Sequence, residues 1–187
     1  MSSSSASRPN DNTYWVVEGK LLAGEYPADR RGHDEETSRA KIRRYLDEGI
    51  QNFVDLTSPG DQPPYEAILR DEAQKKGVEV TYKQLSIQDF GLPSTNQMKE
   101  ILDTIDNSIS SSSCGDGGDD HAKKTYVHCN GGIGRTGTVV GCYLARHGTE
   151  NAADKVKELY QSAGQSRTRP HAPETPEQVA YIQQWKE

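Results

Sequence analysis

Cysteine is scarce in this chain of 187 residues, which has only Cys114, Cys129 and Cys142. An odd, sparse set excludes a disulfide framework and fits free thiols in a reducing compartment. A cytoplasmic location is the expectation. Long apolar runs are also missing. Hydrophobic residues make up 32% of the chain, and no stretch approaches the roughly 20 residues needed to cross a bilayer. The opening Met1-Ser2-Ser3-Ser4-Ser5 lacks an apolar signal core, so secretion is not expected. Positive charge is in deficit, with 22 Lys and Arg against 28 Asp and Glu and a formal charge of −6. That balance leaves no electrostatic footprint for nucleic acid. His33, His121 and His171 show no metal-ligand spacing, and neither metal nor cofactor is expected.

What remains has the length of one domain with a real core. Residues 1–12 are Ser- and Asn-rich and are expected to form a disordered tail ahead of a single domain, 13–187. Short strands are expected at Tyr14 to Val17 and Leu21 to Ala23, then a helix from Asp34 to Glu48 stopped by Gly49. A strand, Ile50 to Leu56, is followed by a helix, Pro64 to Lys76, and a strand, Val78 to Leu85. Ser94 is placed to cap a helix running to about Ser108, with Met98, Ile101, Leu102 and Ile105 on its apolar stripe. Residues 108–121 are low-complexity Ser, Gly and Asp, expected as a flexible surface insertion. A strand at Lys124 to His128 and helices at Thr136 to His147, Asn151 to Ala163 and Pro176 to Trp185 complete the chain. Strands alternating with helices indicate an α/β fold: a central, mostly parallel sheet of about five strands flanked by helices on both faces.

The informative segment is His128-Cys129-Asn130-Gly131-Gly132-Ile133-Gly134-Arg135-Thr136-Gly137. A β-prone run precedes it and an amphipathic helical run follows. A tight glycine-rich loop between strand and helix aims backbone N–H groups at one point before the helix N-terminus, which makes an anion site. The helix dipole and a nearby cation would hold a cysteine there as thiolate.

This segment resembles the signature loop of the cysteine-based protein tyrosine phosphatase superfamily, in which His-Cys is followed by five residues, Arg, and Ser or Thr. The likeness extends from about Trp15 to Trp185. Gly19-Lys20-Leu21-Leu22-Ala23-Gly24-Glu25-Tyr26-Pro27 resembles the opening strands of small dual-specificity-like members. Ile87-Gln88-Asp89-Phe90-Gly91-Leu92-Pro93 resembles their general-acid loop.

The resemblance implies a role for each matching residue. Cys129 would be the nucleophile that forms a phosphocysteine. A buried structural cysteine is the alternative, but the flanking glycines suit close approach to a ligand. Asn130, Gly131, Gly132, Ile133 and Gly134 would cradle the phosphate, and Arg135 would grip two of its oxygens. An arginine at a helix start otherwise opposes the dipole. His128 would orient the loop and help keep the cysteine deprotonated, or be a satisfied core histidine, and both can hold together. Thr136 would stabilise the leaving thiolate, or cap the helix. Asp89 would be the general acid, with Asp55 and Asp61 as rivals. Gln178 would position the hydrolytic water, or join a capping arrangement behind Thr175. Cys142 fits the core, Cys114 lies in the insertion, and Arg167 and Arg169 are loop charges able to rim the pocket.

The loop carries no Lys or Arg between Asn130 and Gly134, whereas relatives acting on phosphoinositides are more basic there. No tyrosine-clamping loop is evident near the N-terminus. The expected activity is therefore that of a compact, monomeric dual-specificity-type phosphatase preferring phosphotyrosine or aryl phosphate. The alternatives are a phosphatase of a small polyanion, such as an inositol phosphate or phosphoinositide, and a non-catalytic phospho-binding module.

Overall fold

The computed structural model describes residues 6–32, 34–110 and 123–187. Five strands form one sheet in the order β1-β2-β5-β3-β4, where β1 is Thr13–Val17, β2 Leu21–Gly24, β3 Ile50–Asp55, β4 Thr81–Gln84 and β5 Lys124–His128. Only the β1–β2 pair is antiparallel. The remaining pairs, β2–β5, β3–β5 and β3–β4, are parallel. The expected architecture is therefore present.

Among the described residues six α-helices cover the sheet: α1 Glu35–Asp47, α2 Glu66–Lys76, α3 Thr95–Ser110, α4 Gly134–Arg146, α5 Ala152–Tyr160 and α6 Pro176–Gln183. The strand side chains alternate between two cores. Leu22, Phe53 and Tyr126 face Ile42, Tyr45 and Leu69 of α1 and α2. Leu21, Val54 and Val127 face Ile101, Val139, Val156 and Ile182 of α3 to α6. No helix among the described residues is long and apolar enough to cross a membrane.

Several boundaries differ from expectation. Residues 6–12 are not a free tail. Arg8 donates to the Ser162 carbonyl at 3.0 Å, Asn10 to the Tyr45 hydroxyl at 2.9 Å, and Trp15 to the Ala6 carbonyl at 3.1 Å. Residues 108–110 finish α3 instead of opening the insertion, because Ile109 still reaches the core. The rest of the expected insertion, with Cys114 and His121, lies outside the described residues, as do His33 and residues 1–5. The strand expected from Val78 shrinks to Thr81–Gln84, an exposed edge with a partner on one side only. The helix expected to run to Ala163 stops at Tyr160, and Gly164–Arg167 forms a separate 3-10 turn.

Candidate active site

β5 is central, buried over four of its five residues, and hands the chain directly to a loop that opens α4. Four successive carbonyls, from His128 to Gly131, are each tied by a different group. Leu56 N donates to the His128 carbonyl at 2.9 Å, the His128 ring to that of Cys129 at 3.1 Å, Tyr26 N to that of Asn130 at 3.0 Å, and Gln165 Nε2 to that of Gly131 at 3.2 Å. In a trans peptide the next N–H points the opposite way. Pinning the carbonyls of 129–131 outward therefore turns the N–H groups of 130–132 inward, and Gly132 N donates to Cys129 Sγ at 3.2 Å.

Gly132 carries the tightest demand. Its φ is +75°, and a Cβ there would lie 2.2 Å from the Gly24 carbonyl carbon. Strain and a backbone clash would act together, so Gly132→Ala should cost about 3 kcal/mol. Chemical denaturation should show that loss, and an unchanged midpoint would contradict this packing of loop against β2.

Cys129 and Arg135 are 3% and 2% exposed, respectively. Both line a pocket of about 150 Å³, with Arg30, Asp89, Phe90, Asn130, Gly131, Gly134, Arg169, Glu174 and Gln178. A larger cavity of about 250 Å³ lies between the sheet edge and α3, remote from Cys129. Arg135 Nη1 donates to Asp61 Oδ2 at 2.9 Å and to the Ile87 carbonyl at 3.0 Å, while Nη2 lies 3.3 Å from Asp89 Oδ1. Asp89 is more than half exposed. Next to it, Phe90 sits at φ +58° and is 64% exposed.

His128 is a satisfied core histidine whose ring also meets the loop backbone. It is fully buried between aromatic rings, stacked on Tyr126 and edge-on to Tyr26. Its Nε2 lies 2.7 Å from the Tyr65 hydroxyl and its Nδ1 3.1 Å from the Cys129 carbonyl. Burial pushes the imidazole below its ordinary value and keeps Tyr65 well above the usual range. The tautomer these partners imply is neutral, with Tyr65 donating to Nε2 and Nδ1–H donating to the Cys129 carbonyl. His128 shapes the loop without charge.

Asp55 is removed as a rival acid. It accepts from Thr57 N at 2.9 Å, Thr57 Oγ1 at 2.6 Å and Tyr82 Oη at 2.6 Å, and it does not line the pocket of Cys129. Thr136 is not the helix cap, because α4 begins at Gly134 and the cap position is Ile133. Its buried hydroxyl has no hydrogen-bond partner among the described residues, which leaves it available to a ligand or a reacting group.

Gln178 joins the capping arrangement behind Thr175, and its amide also reaches the pocket. Its Oε1 accepts from Glu174 N and Thr175 N at 3.1 Å, completing a capping box on α6. Its Nε2 remains buried and unpartnered at the wall of the pocket.

Arg169 reaches the pocket, whereas Arg167 and His171 are exposed and outside it. Arg30, Phe90, Glu174 and Gln165 complete the surroundings and were not singled out from sequence. Arg30, Glu174 and Gln165 come from connections between elements, where periodicity gives no signal. Phe90 was visible only as part of the acid-loop run. Cys142 is wholly buried in α4, and its thiol is pushed up to about 12 by burial.

The family described as the Swiss Army Knife protein, DSP-PTPase phosphatase domain, matches residues 10–180. An uncharacterized Methanocaldococcus jannaschii protein, MJECL20, is 34% identical over 74 residues, 40% of this chain and 44% of that protein. The chain thus spans under half the length of that relative. The active form of Tk-PTP superposes with a TM-score of 0.59 at 26% identity, covering 92% of this chain and 94% of that one. Kinase associated phosphatase, solved with its catalytic-site cysteine changed to serine, gives 0.62 at 19% identity over 87% and 83%. At that identity the likeness is one of fold. With a match running from residue 10 to residue 180, this chain belongs to the dual-specificity-like phosphatase domains of the cysteine-based protein tyrosine phosphatase superfamily.

Proposed function

We propose that the chain hydrolyses phosphomonoesters of phenols, phosphotyrosine on proteins foremost, through a phosphocysteine. The convergence of Cys129, Arg135, Asp89 and the exposed Phe90 ring on one pocket carries this reading. The Cys129 thiolate attacks phosphorus in line. An S–P bond forms as the P–O bond to the leaving group breaks, and Asp89 gives its proton to the departing oxygen. Water then attacks phosphorus, Asp89 takes its proton, and the S–P bond breaks to return thiolate and inorganic phosphate. The N–H groups of the loop and the Arg135 fork stabilise the equatorial oxygens in both steps. The free hydroxyl of Thr136 is available to the departing sulfur, and the free amide of Gln178 to the water.

Phe90 favours an aromatic substrate. A phenyl ring left open to water beside the acid gains by stacking on another ring. Phosphotyrosyl peptide should therefore be turned over faster than phosphoseryl peptide, and Phe90→Ala should narrow the gap. A small polyanion is the competing substrate, because Arg30 and Arg169 add two guanidinium groups to the rim. Inositol hexakisphosphate turned over faster than phosphotyrosyl peptide would replace the aryl reading.

Asp89→Ala tests the acid. It should slow alkyl phosphates by about 100-fold or more and p-nitrophenyl phosphate far less, because only poor leaving groups need the proton. Equal slowing of both would move the acid to another carboxylate, with Glu174 the remaining one on the pocket wall.

A further inference from the structure

Two carboxylates reach Arg135 from two different loops, and the chemistry above uses only one. Asp61 comes from the turn between β3 and α2. Its Oδ2 accepts from Arg135 Nη1 at 2.9 Å and from Ser58 N at 3.0 Å, while Asp61 N donates to the Ser58 carbonyl at 3.0 Å. The turn thus closes on itself and fixes the carboxylate. Asp89 makes the longer contact, 3.3 Å to Nη2, from a more exposed position.

We propose that Asp61 is the positioning residue of this site, the fixed anchor that aims the Arg135 fork, while Asp89 is the carboxylate that leaves the fork when a phosphoryl group enters. This rests on the roles given above to Arg135 and Asp89. A terminal guanidinium nitrogen carries two protons. On Nη1 they are both committed, to Asp61 and to the Ile87 carbonyl. The edge made by Nε and Nη2 is what remains to grip two phosphate oxygens, and Asp89 Oδ1 lies 3.3 Å from its Nη2. A phosphate dianion competes directly with Asp89 for that edge and leaves Nη1 undisturbed. Asp89 is then freed toward the leaving group.

The burial of Arg135 supports a permanent partner. A guanidinium that is 2% exposed needs its protons accepted at every stage of turnover, and phosphate and Asp89 are each there for only part of it. Asp61 is also the wrong carboxyl for proton transfer. Burial opposes its charge, but the Ser58 N–H and the Arg135 guanidinium outweigh it and hold the carboxyl below the usual range. It therefore lacks a proton to give at neutral pH.

Anchoring by a negative group has a measurable consequence. Asp61 draws on the same positive charge that attracts the substrate. Asp61→Asn keeps an acceptor for Arg135 and Ser58 while removing that charge. It should hold kcat for p-nitrophenyl phosphate within about fivefold and bind inorganic phosphate at least as tightly as the parent protein. Asp61→Ala leaves Nη1 without its anchor and should lower kcat by about 100-fold. Neither variant should change the preference for good over poor leaving groups, which belongs to Asp89.

Wild-type kcat in Asp61→Ala would overturn the proposal. So would an Asp61→Asn variant that loses poor leaving groups selectively, since that is the signature of the acid. If Asp61→Ala does not fold, Asp61→Asn decides alone, and phosphate affinity weakened tenfold would refute the anchor. Failure of the underlying reading looks different, because Arg135→Lys would then keep near-normal kinetics whatever Asp61 does.

Discussion

Cys129→Ser should abolish turnover and leave oxyanion affinity in place. The serine hydroxyl is smaller than the thiol and stays protonated at neutral pH, so it is a poor nucleophile without a base beside it. No such base stands ready, because the one adjacent histidine points its two nitrogens at Tyr65 and at a backbone carbonyl. Turnover of p-nitrophenyl phosphate should fall by about 10⁴-fold or more. The cradle does not depend on sulfur. Its peptide planes are set by Leu56, His128, Tyr26 and Gln165, and Arg135 is set by Asp61 and Ile87. Removing a negative sulfur should also relieve its repulsion of phosphate, so calorimetry should give phosphate affinity equal to the parent's or tighter. Residual turnover within tenfold of the parent would place the nucleophile elsewhere. Cys142 cannot substitute, being closed off in α4 with its thiol pushed up to about 12 by burial. An inactive variant that had also lost phosphate would make Cys129 a structural residue.

The fold was legible in the sequence wherever periodicity carried the burial. α1 starts at the Asp34 cap, which accepts from Glu36 N, and β5 has the expected boundaries. The loop could be anticipated because its chemistry is local: glycines, cysteine and arginine lie within seven consecutive positions. What surrounds the loop was less visible, because it arrives from far away in the chain. Tyr65 meets His128 from the start of α2, and Asp61 meets Arg135 from a turn that reads as an ordinary Pro-Gly-Asp break. Composition placed Asp61 among candidate acids but could not say that a guanidinium and a backbone N–H would occupy it. The same limit left two descriptions of His128 open. From sequence it could orient the loop beside the cysteine or be a satisfied core histidine. Only the packing of Tyr26, Tyr65 and Tyr126 around it reveals a neutral ring. Residues 6–12 were mistaken for a free tail for a related reason. Their composition is polar, yet their hydrogen bonds go to α1, to β1 and to the turn after α5.

Arg135→Lys should lose most activity while the protein stays folded. The guanidinium serves two directions at once, holding Asp61 and the Ile87 carbonyl with Nη1 and presenting its other edge to the pocket. A lysine ammonium has three donors on one atom and no rigid fork. It can sit against Asp61, or reach toward a phosphate, but a single nitrogen cannot keep the anchor and grip two oxygens in a plane. Either choice removes stabilisation that grows as charge spreads over the equatorial oxygens, so kcat/KM should fall by about 100- to 1,000-fold. Most of the loss should appear in kcat, since one cation near the loop still attracts a phosphate dianion. Asp61 bears on the size of the loss. If Asp61 captures the lysine, Asp61→Asn in the Arg135→Lys background should free the ammonium and recover part of the rate. The two substitutions would then combine less than additively. Near-normal kinetics for Arg135→Lys would rule out bidentate grip, and with it the chemical reason for placing an arginine at the start of a buried helix.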